Sequence, residues 1–147
     1  MPPPKTTSSL RLIKFPPLYR LMGNGRYNKG AHQERLLSAE LKTHGFRVVR
    51  ASGSGVDGVS PDLVVLSATK KFALECKAWR KAPHLETTKF KIMQEWESAT
   101  NMPVYVAWRK PRREWRFFPI AVFRENPRGF SLLESDYDAG MELAALL

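Results

Sequence analysis

In the stretch NKGAHQERLLSAELKTHGF, Leu37 and Leu41 recur at helical spacing among polar residues, Asn28 is placed to cap a helix, and Gly45 is placed to end it. Beyond that glycine the period shortens. FRVVRAS reads as a strand and SGSGVDGVSP as a glycine-rich loop; DLVVLS and KFALECKA read as two further strands joined by a turn around Ala68 to Lys70. Alternation along KFALECKA sends Phe72, Leu74 and Cys76 to one face and Ala73, Glu75 and Lys77 to the other. After a polar connection containing Pro83, TTKFKIMQEWESATN carries Phe90, Met93 and Trp96 with Ile92 and Ala99, the pattern of a helix lying over a sheet. PVYVAWR and EWRFFPI read as strands on either side of the basic turn RKPRRE, and DYDAGMELAALL as a short amphipathic helix capped by an acid. The order predicts an α/β fold, a mixed central β-sheet flanked by helices.

Several charged residues sit against this pattern. Glu34 lies three residues before Leu37 and seven before Leu41, on the side of the apolar stripe; the plainer alternative is a first-turn acid favoured by the helix dipole. Asp62 precedes one apolar run, and Glu75 and Lys77 close the next. Charged groups are costly to desolvate unless they are paired or bound to a metal, so these positions call for an explanation. Cys76 falls on the apolar face, which makes it a core residue and not a nucleophile.

The chain has 147 residues, 43% of them hydrophobic, enough for one compact domain with a core. Residues 1–28 read as a flexible basic arm, rich in proline and without an acid, and residues 29–147 as a single domain. Lys and Arg total 24 against 14 acids, a formal charge of +10 that points to a polyanionic partner, nucleic acid first; the alternative is a basic but merely solvated surface. The one cysteine excludes an internal disulfide and the three histidines lack zinc-site spacing, as expected of a reducing, cytoplasmic setting. No stretch has the length of a membrane span or the form of a secretory signal.

Twelve residues separate Pro61-Asp62 from Glu75-Cys76-Lys77, and this spacing matches the nuclease signature written PD-(D/E)xK, in which a bent hairpin brings the two acids together. Carboxylates held close repel one another, and a hard divalent cation such as Mg²⁺ relieves the repulsion and prefers oxygen ligands. Such a site can activate water for attack on a phosphodiester, with Lys77 orienting the water or stabilising developing charge. Taken singly, Lys77 could be a surface ion-pair partner and Asp62 a turn residue after proline.

With KGAHQERLLSAELKTHGFRVVRASGSG, SPDLVVL, ALECKA and the helix containing Gln94, the chain resembles the archaeal-type Holliday junction resolvases from about Lys29 to Phe118. The resemblance implies a restriction-endonuclease-like nuclease core and a homodimeric, Mg²⁺-dependent endonuclease, with Mn²⁺ as a possible substitute, that nicks opposed strands of a four-way DNA junction. It implies Glu34, Asp62 and Glu75 as metal-binding acids, Lys77 as catalytic lysine, and Ser52, in preference to Ser54, as the functional serine. Gln94 would support the site and Arg50 would contact phosphate. Lys29, Ser54, Arg80, Lys81 and Lys89 complete the expected DNA-contacting set. Trp79 and Trp115 could stack on bases, burial being the commoner fate of tryptophan. The competing readings are a repair or restriction-like nuclease of the same core acting on linear or flapped DNA, and a non-catalytic DNA-binding protein of the same fold.

Overall fold

In this computed structural model, residues 25–51 and 59–147 are described. The chain divides into two units, residues 1–32 and 33–147; the architecture below is that of the second. The helix α1 (Gly25–Thr43) begins three residues before Asn28, which therefore lies inside it and is not its cap. Asparagine is only a modest helix breaker, and one such residue does not stop a helix that its neighbours continue. At the other end Gly45 takes φ 90°, its N–H bonds Lys42 O at 3.0 Å, and Phe46 N–H reaches Leu41 O at 3.4 Å. This double closure needs a left-handed residue, hence glycine, and it folds Phe46 back against Leu41.

A five-stranded sheet follows the order β1 (Arg47–Arg50), β2 (Leu63–Leu66), β3 (Lys71–Lys77), β5 (Val104–Trp108), β6 (Arg116–Pro119). Neighbours are antiparallel except β3 and β5, which run parallel with α2 (Thr87–Thr100) in the connection between them. Parallel neighbours need such a crossover. The turn into β3 is closed by Ser67, whose N–H bonds Lys70 O at 2.8 Å and whose Oγ accepts Lys70 N–H at 3.0 Å.

Side-chain alternation divides the core between the two faces of this sheet. On one face Leu37 and Leu41 of α1 pack with Leu63, Val65, Phe72, Leu74, Ala107 and Phe117; on the other Phe90 and Met93 of α2 pack with Ala73, Val104, Val106, Trp108 and Phe118. Each strand thus feeds both layers in turn.

Two regions depart from the sequence expectation. A second sheet of three strands, ordered β4 (His84–Glu86), β8 (Gly129–Ser131), β7 (Arg124–Asn126), stands beside α2. Three residues per strand are too few for a period to show. The expected C-terminal helix is instead two 3₁₀ turns, Glu134–Ala139 and Leu143–Leu146. Between them Met141 exchanges two backbone hydrogen bonds of 2.9 Å with Phe117, drawing the segment onto the edge of β6. A β-carbon at Gly140 would run into the Phe118 ring, so this close approach requires glycine.

Candidate active site

Antiparallel register places the acids together. Leu63 stands opposite Leu74, so the next step outward along both strands sets Asp62 beside Glu75. Asp62 Oδ2 accepts the Cys76 N–H at 2.8 Å, fixing its carboxylate across the strand ends. On the other side the Asp62 carbonyl accepts the Ala51 N–H at 2.9 Å, so β1 ends beside it with Arg50 opposite Leu63. From α1, Glu34 reaches the same place: its Oε1 lies 3.2 Å from Arg50 Nε. Both Asp62 and Glu75 are buried.

Two ammonium groups face Glu75. Lys77 Nζ is 3.3 Å from Oε2, and Lys89 Nζ is 3.5 Å from Oε1 and 3.1 Å from the Ser60 carbonyl. Even so, Glu75 Oε1 is buried without a hydrogen-bond partner among the described residues. Burial, and then the neighbouring Asp62 charge, push the Glu75 carboxyl up against the opposing pull of Lys77 and Lys89. Glu34 is pushed up to about 7, first by burial and then by Asp62, with Arg50 opposing. The carboxylates therefore feel one another, as unrelieved like charges must.

An all-oxygen donor set with an orphaned carboxylate oxygen fits a hard divalent cation in chemistry. Asp62 and Glu75, adjacent on the hairpin, are the pair able to hold one, with Glu34 across from them. Among the described residues no three His, Cys, Asp or Glu side chains are grouped closely enough to hold a metal by themselves. Arg50, Lys77 and Lys89 lie against Glu34 and Glu75 as ion-pair partners, and the Cys76 N–H bonds Asp62.

The other sequence-predicted residues fall as follows. Ser52 and Ser54 lie outside the described residues. Arg80 and Lys81 are exposed just past β3, and Lys29 is exposed on the part of α1 that belongs to the first unit. Gln94 is exposed on α2, where its carbonyl accepts the Ser98 hydroxyl at 3.0 Å, and it takes no part in the ion pairs of the acids. Lys89, expected to meet phosphate, is a second counter-charge to Glu75, a role that no local pattern around it announces. Sequence reasoning also missed Glu134, which accepts the Ala82 N–H at 2.6 Å and pairs with Lys110 at 3.2 Å, holding the chain just beyond the site. Cys76 packs against the apolar layer as expected, and burial raises its thiol well above the ordinary value. No helix among the described residues is long and apolar enough to cross a membrane.

The likeness seen in the motifs extends over most of the chain. The family described as archaeal Holliday junction resolvase (Hjc) matches residues 25–147. The crossover junction endodeoxyribonuclease Hjc of Archaeoglobus fulgidus is 33% identical over 119 residues, which cover 80% of this chain and 88% of that protein. A 1.6 Å structure of Archaeoglobus fulgidus Hjc, a Holliday junction resolvase from an archaeal hyperthermophile, aligns with a TM-score of 0.71 at 30% identity, over 80% of this chain and 93% of that one. The mixed sheet between helices, the Pro-Asp and Glu-x-Lys hairpin, and these matches agree: the chain belongs to the archaeal Holliday junction resolvase family.

Proposed function

We propose that this protein is an endonuclease that resolves four-way DNA junctions by hydrolysing phosphodiester bonds, acting as a homodimer that nicks opposed strands and depends on Mg²⁺, with Mn²⁺ able to replace it. The observation that carries this reading is the meeting of Asp62, Glu75 and Lys77 at one end of the β2–β3 hairpin, in a chain whose Archaeoglobus fulgidus relative is a crossover junction endodeoxyribonuclease.

Asp62 and Glu75 would hold the cation, with Glu34 beside them; when bound, the cation supplies charge neutralisation at a phosphoryl oxygen and a more acidic water. The remaining work belongs to side chains. Lys77 is an ammonium on the same strand face as Glu75, placed to donate to the attacking water or to a phosphoryl oxygen as charge builds on it. Lys89 ties Glu75 to the Ser60 carbonyl and so holds the segment entering Asp62 against the end of β3. Arg50 steadies Glu34 through Nε and places a guanidinium at the site for a phosphate of the DNA backbone. Arg80 and Lys81 supply sequence-independent phosphate contacts. Selection of the substrate then rests on the shape of branched DNA and on the spacing of two equivalent sites across a symmetric interface.

The test is cleavage of four-way, three-way and linear DNA with and without Mg²⁺. Paired, symmetric nicks in the four-way junction, with linear duplex spared and no cutting without the cation, are expected. Equal cutting of linear duplex would make the protein a general nuclease; binding without cutting under Mg²⁺ or Mn²⁺ would make it a passive DNA-binding protein.

A further inference from the structure

The four tryptophans of this chain have different surroundings. Trp108 and Trp115 are 0% and 8% exposed, so Trp115 is removed as a stacking surface. Trp96 is half-buried and donates its indole N–H to Val59 O at 2.9 Å. Trp79 alone among them is exposed, with 42% of its surface open to solvent.

An exposed indole on a loose loop would carry no argument, but this one stands on a fixed base. The Trp79 carbonyl accepts the indole N–H of buried Trp108 at 2.8 Å. Two residues earlier the Lys77 carbonyl accepts the Arg109 N–H at 3.0 Å, and three residues later the Ala82 N–H is held by Glu134 at 2.6 Å. The backbone from Lys77 to Ala82 is thus tied to the end of β5 and to a 3₁₀ turn. Within this frame the Lys77 ammonium lies 4.7 Å from the centroid of the Trp79 ring while it also meets Glu75. One face of the indole is engaged by the ammonium, and the exposed 42% of the residue is available for a second contact.

A continuous duplex hides its base faces within its own stack, whereas a branch point interrupts the stack, and aromatic side chains bind exposed base faces with little regard to sequence. We propose that Trp79 is a DNA-contacting residue that stacks on a nucleobase left unstacked at the branch point, beside the phosphate that Lys77 serves. This rests on the junction-resolving reading and specifies which part of the substrate the site takes. Arg80 and Lys81, exposed on the same short segment, bring the phosphate backbone alongside the ring. Stacking on one face and the ammonium on the other would join recognition of the branch to placement of Lys77.

The test compares the wild-type protein with Trp79→Ala and Trp79→Phe, using Mg²⁺-free binding to a four-way junction that carries 2-aminopurine at the branch point and to linear duplex of the same arm sequence. The 2-aminopurine emission should be quenched by the wild-type protein and by Trp79→Phe. Trp79→Ala should lose the quench and bind the junction roughly tenfold more weakly, with its affinity for linear duplex and its melting temperature unchanged. An unchanged junction affinity and quench in Trp79→Ala, with wild-type cutting intact, overturns this inference alone and would turn the exposed indole toward a protein partner. Equal weakening on both DNAs also overturns it. Wild-type protein that neither prefers nor cuts the junction removes the junction-resolving reading, and this inference with it.

Discussion

The two faces of β3 follow opposite rules. On one, Phe72 and Leu74 are sealed into the layer beneath α1, with Cys76 packed against them; on the other, one position away, Glu75 and Lys77 bring a carboxylate and an ammonium to the strand end. The difference teaches how a short strand can be structural on one side and, in the function proposed above, reactive on the other, since alternation alone separates the two. It also shows what the reactive face demands. A buried, unpaired carboxylate costs several kcal/mol, about as much as a fair part of a domain's net stability. Here Lys77 and Lys89 offset that cost from two directions, at 3.3 and 3.5 Å.

The most severe break of the comparison is on the reactive face. Lys77→Met should lower single-turnover cleavage of a four-way junction about 10²–10³-fold, the scale of removing one donor to developing charge, while junction affinity stays close to wild type. A variant that cuts at the wild-type rate would move this role to another residue.

Next comes the packed face. Leu74→Ala opens a cavity at a fully buried position and should cost about 2–5 kcal/mol. The loss would appear as a lower urea midpoint with an unchanged slope, and a shift near zero would show that this face is not the core it is taken to be.

A smaller effect comes from pH in the absence of divalent cations. The Glu34 carboxyl is raised from 4.5 to about 7 in the folded chain, and Glu75 is raised as well, so the folded state holds more protons than the unfolded one in this range. Stability from Glu34 is therefore fully present below about pH 4.5 and lost as pH rises through about 7, and Glu75, raised by burial and by Asp62, adds a loss of the same sign as pH rises. Glu134 and Asp136 are shifted down, by the Ala82 N–H and by Arg124 respectively, and their contributions fade only as pH falls below the ordinary carboxylate values. The melting temperature of metal-free protein should rise from pH 8 to pH 5.5, and Glu34→Gln should flatten the rise. A wild-type profile that falls toward pH 5.5 would contradict the repulsion among these acids.

The smallest effect is expected at Cys76. Its raised thiol and apolar packing make it inert, so Cys76→Ala should leave cleavage unchanged, and the native thiol should alkylate much more slowly in folded than in unfolded protein. Rapid alkylation with loss of cutting would place Cys76 on the reactive face after all.

Much of this was legible in the sequence wherever a period was strong or a motif was short-range. The Leu37 and Leu41 stripe, the Gly45 stop, the turn around Ala68 to Lys70 and the alternation in KFALECKA each depend on residues a few positions apart. The Pro-Asp and Glu-x-Lys motifs carried the pairing of Asp62 with Glu75, because hairpin register makes that pairing nearly local. What escaped depends on distant partners. The strands β4, β7 and β8 hold three residues each, and the Met141 bridge to Phe117 overrode a helical pattern. Lys89 met Glu75 only through the packing of α2 on the sheet, and Arg50 met Glu34 across sixteen residues. Expectations for Ser52 and Ser54 fall outside the described residues.

The central claim is that Glu75 belongs to the chemistry of cutting and not to the grip on DNA. It is tested most directly by junction cleavage with Glu75→Gln at saturating Mg²⁺, with protein and DNA concentrations chosen so that wild type and variant occupy the junction equally. The account predicts that Glu75→Gln leaves the bound junction uncut while the wild type nicks opposed strands. Cutting by Glu75→Gln at the wild-type rate would contradict it.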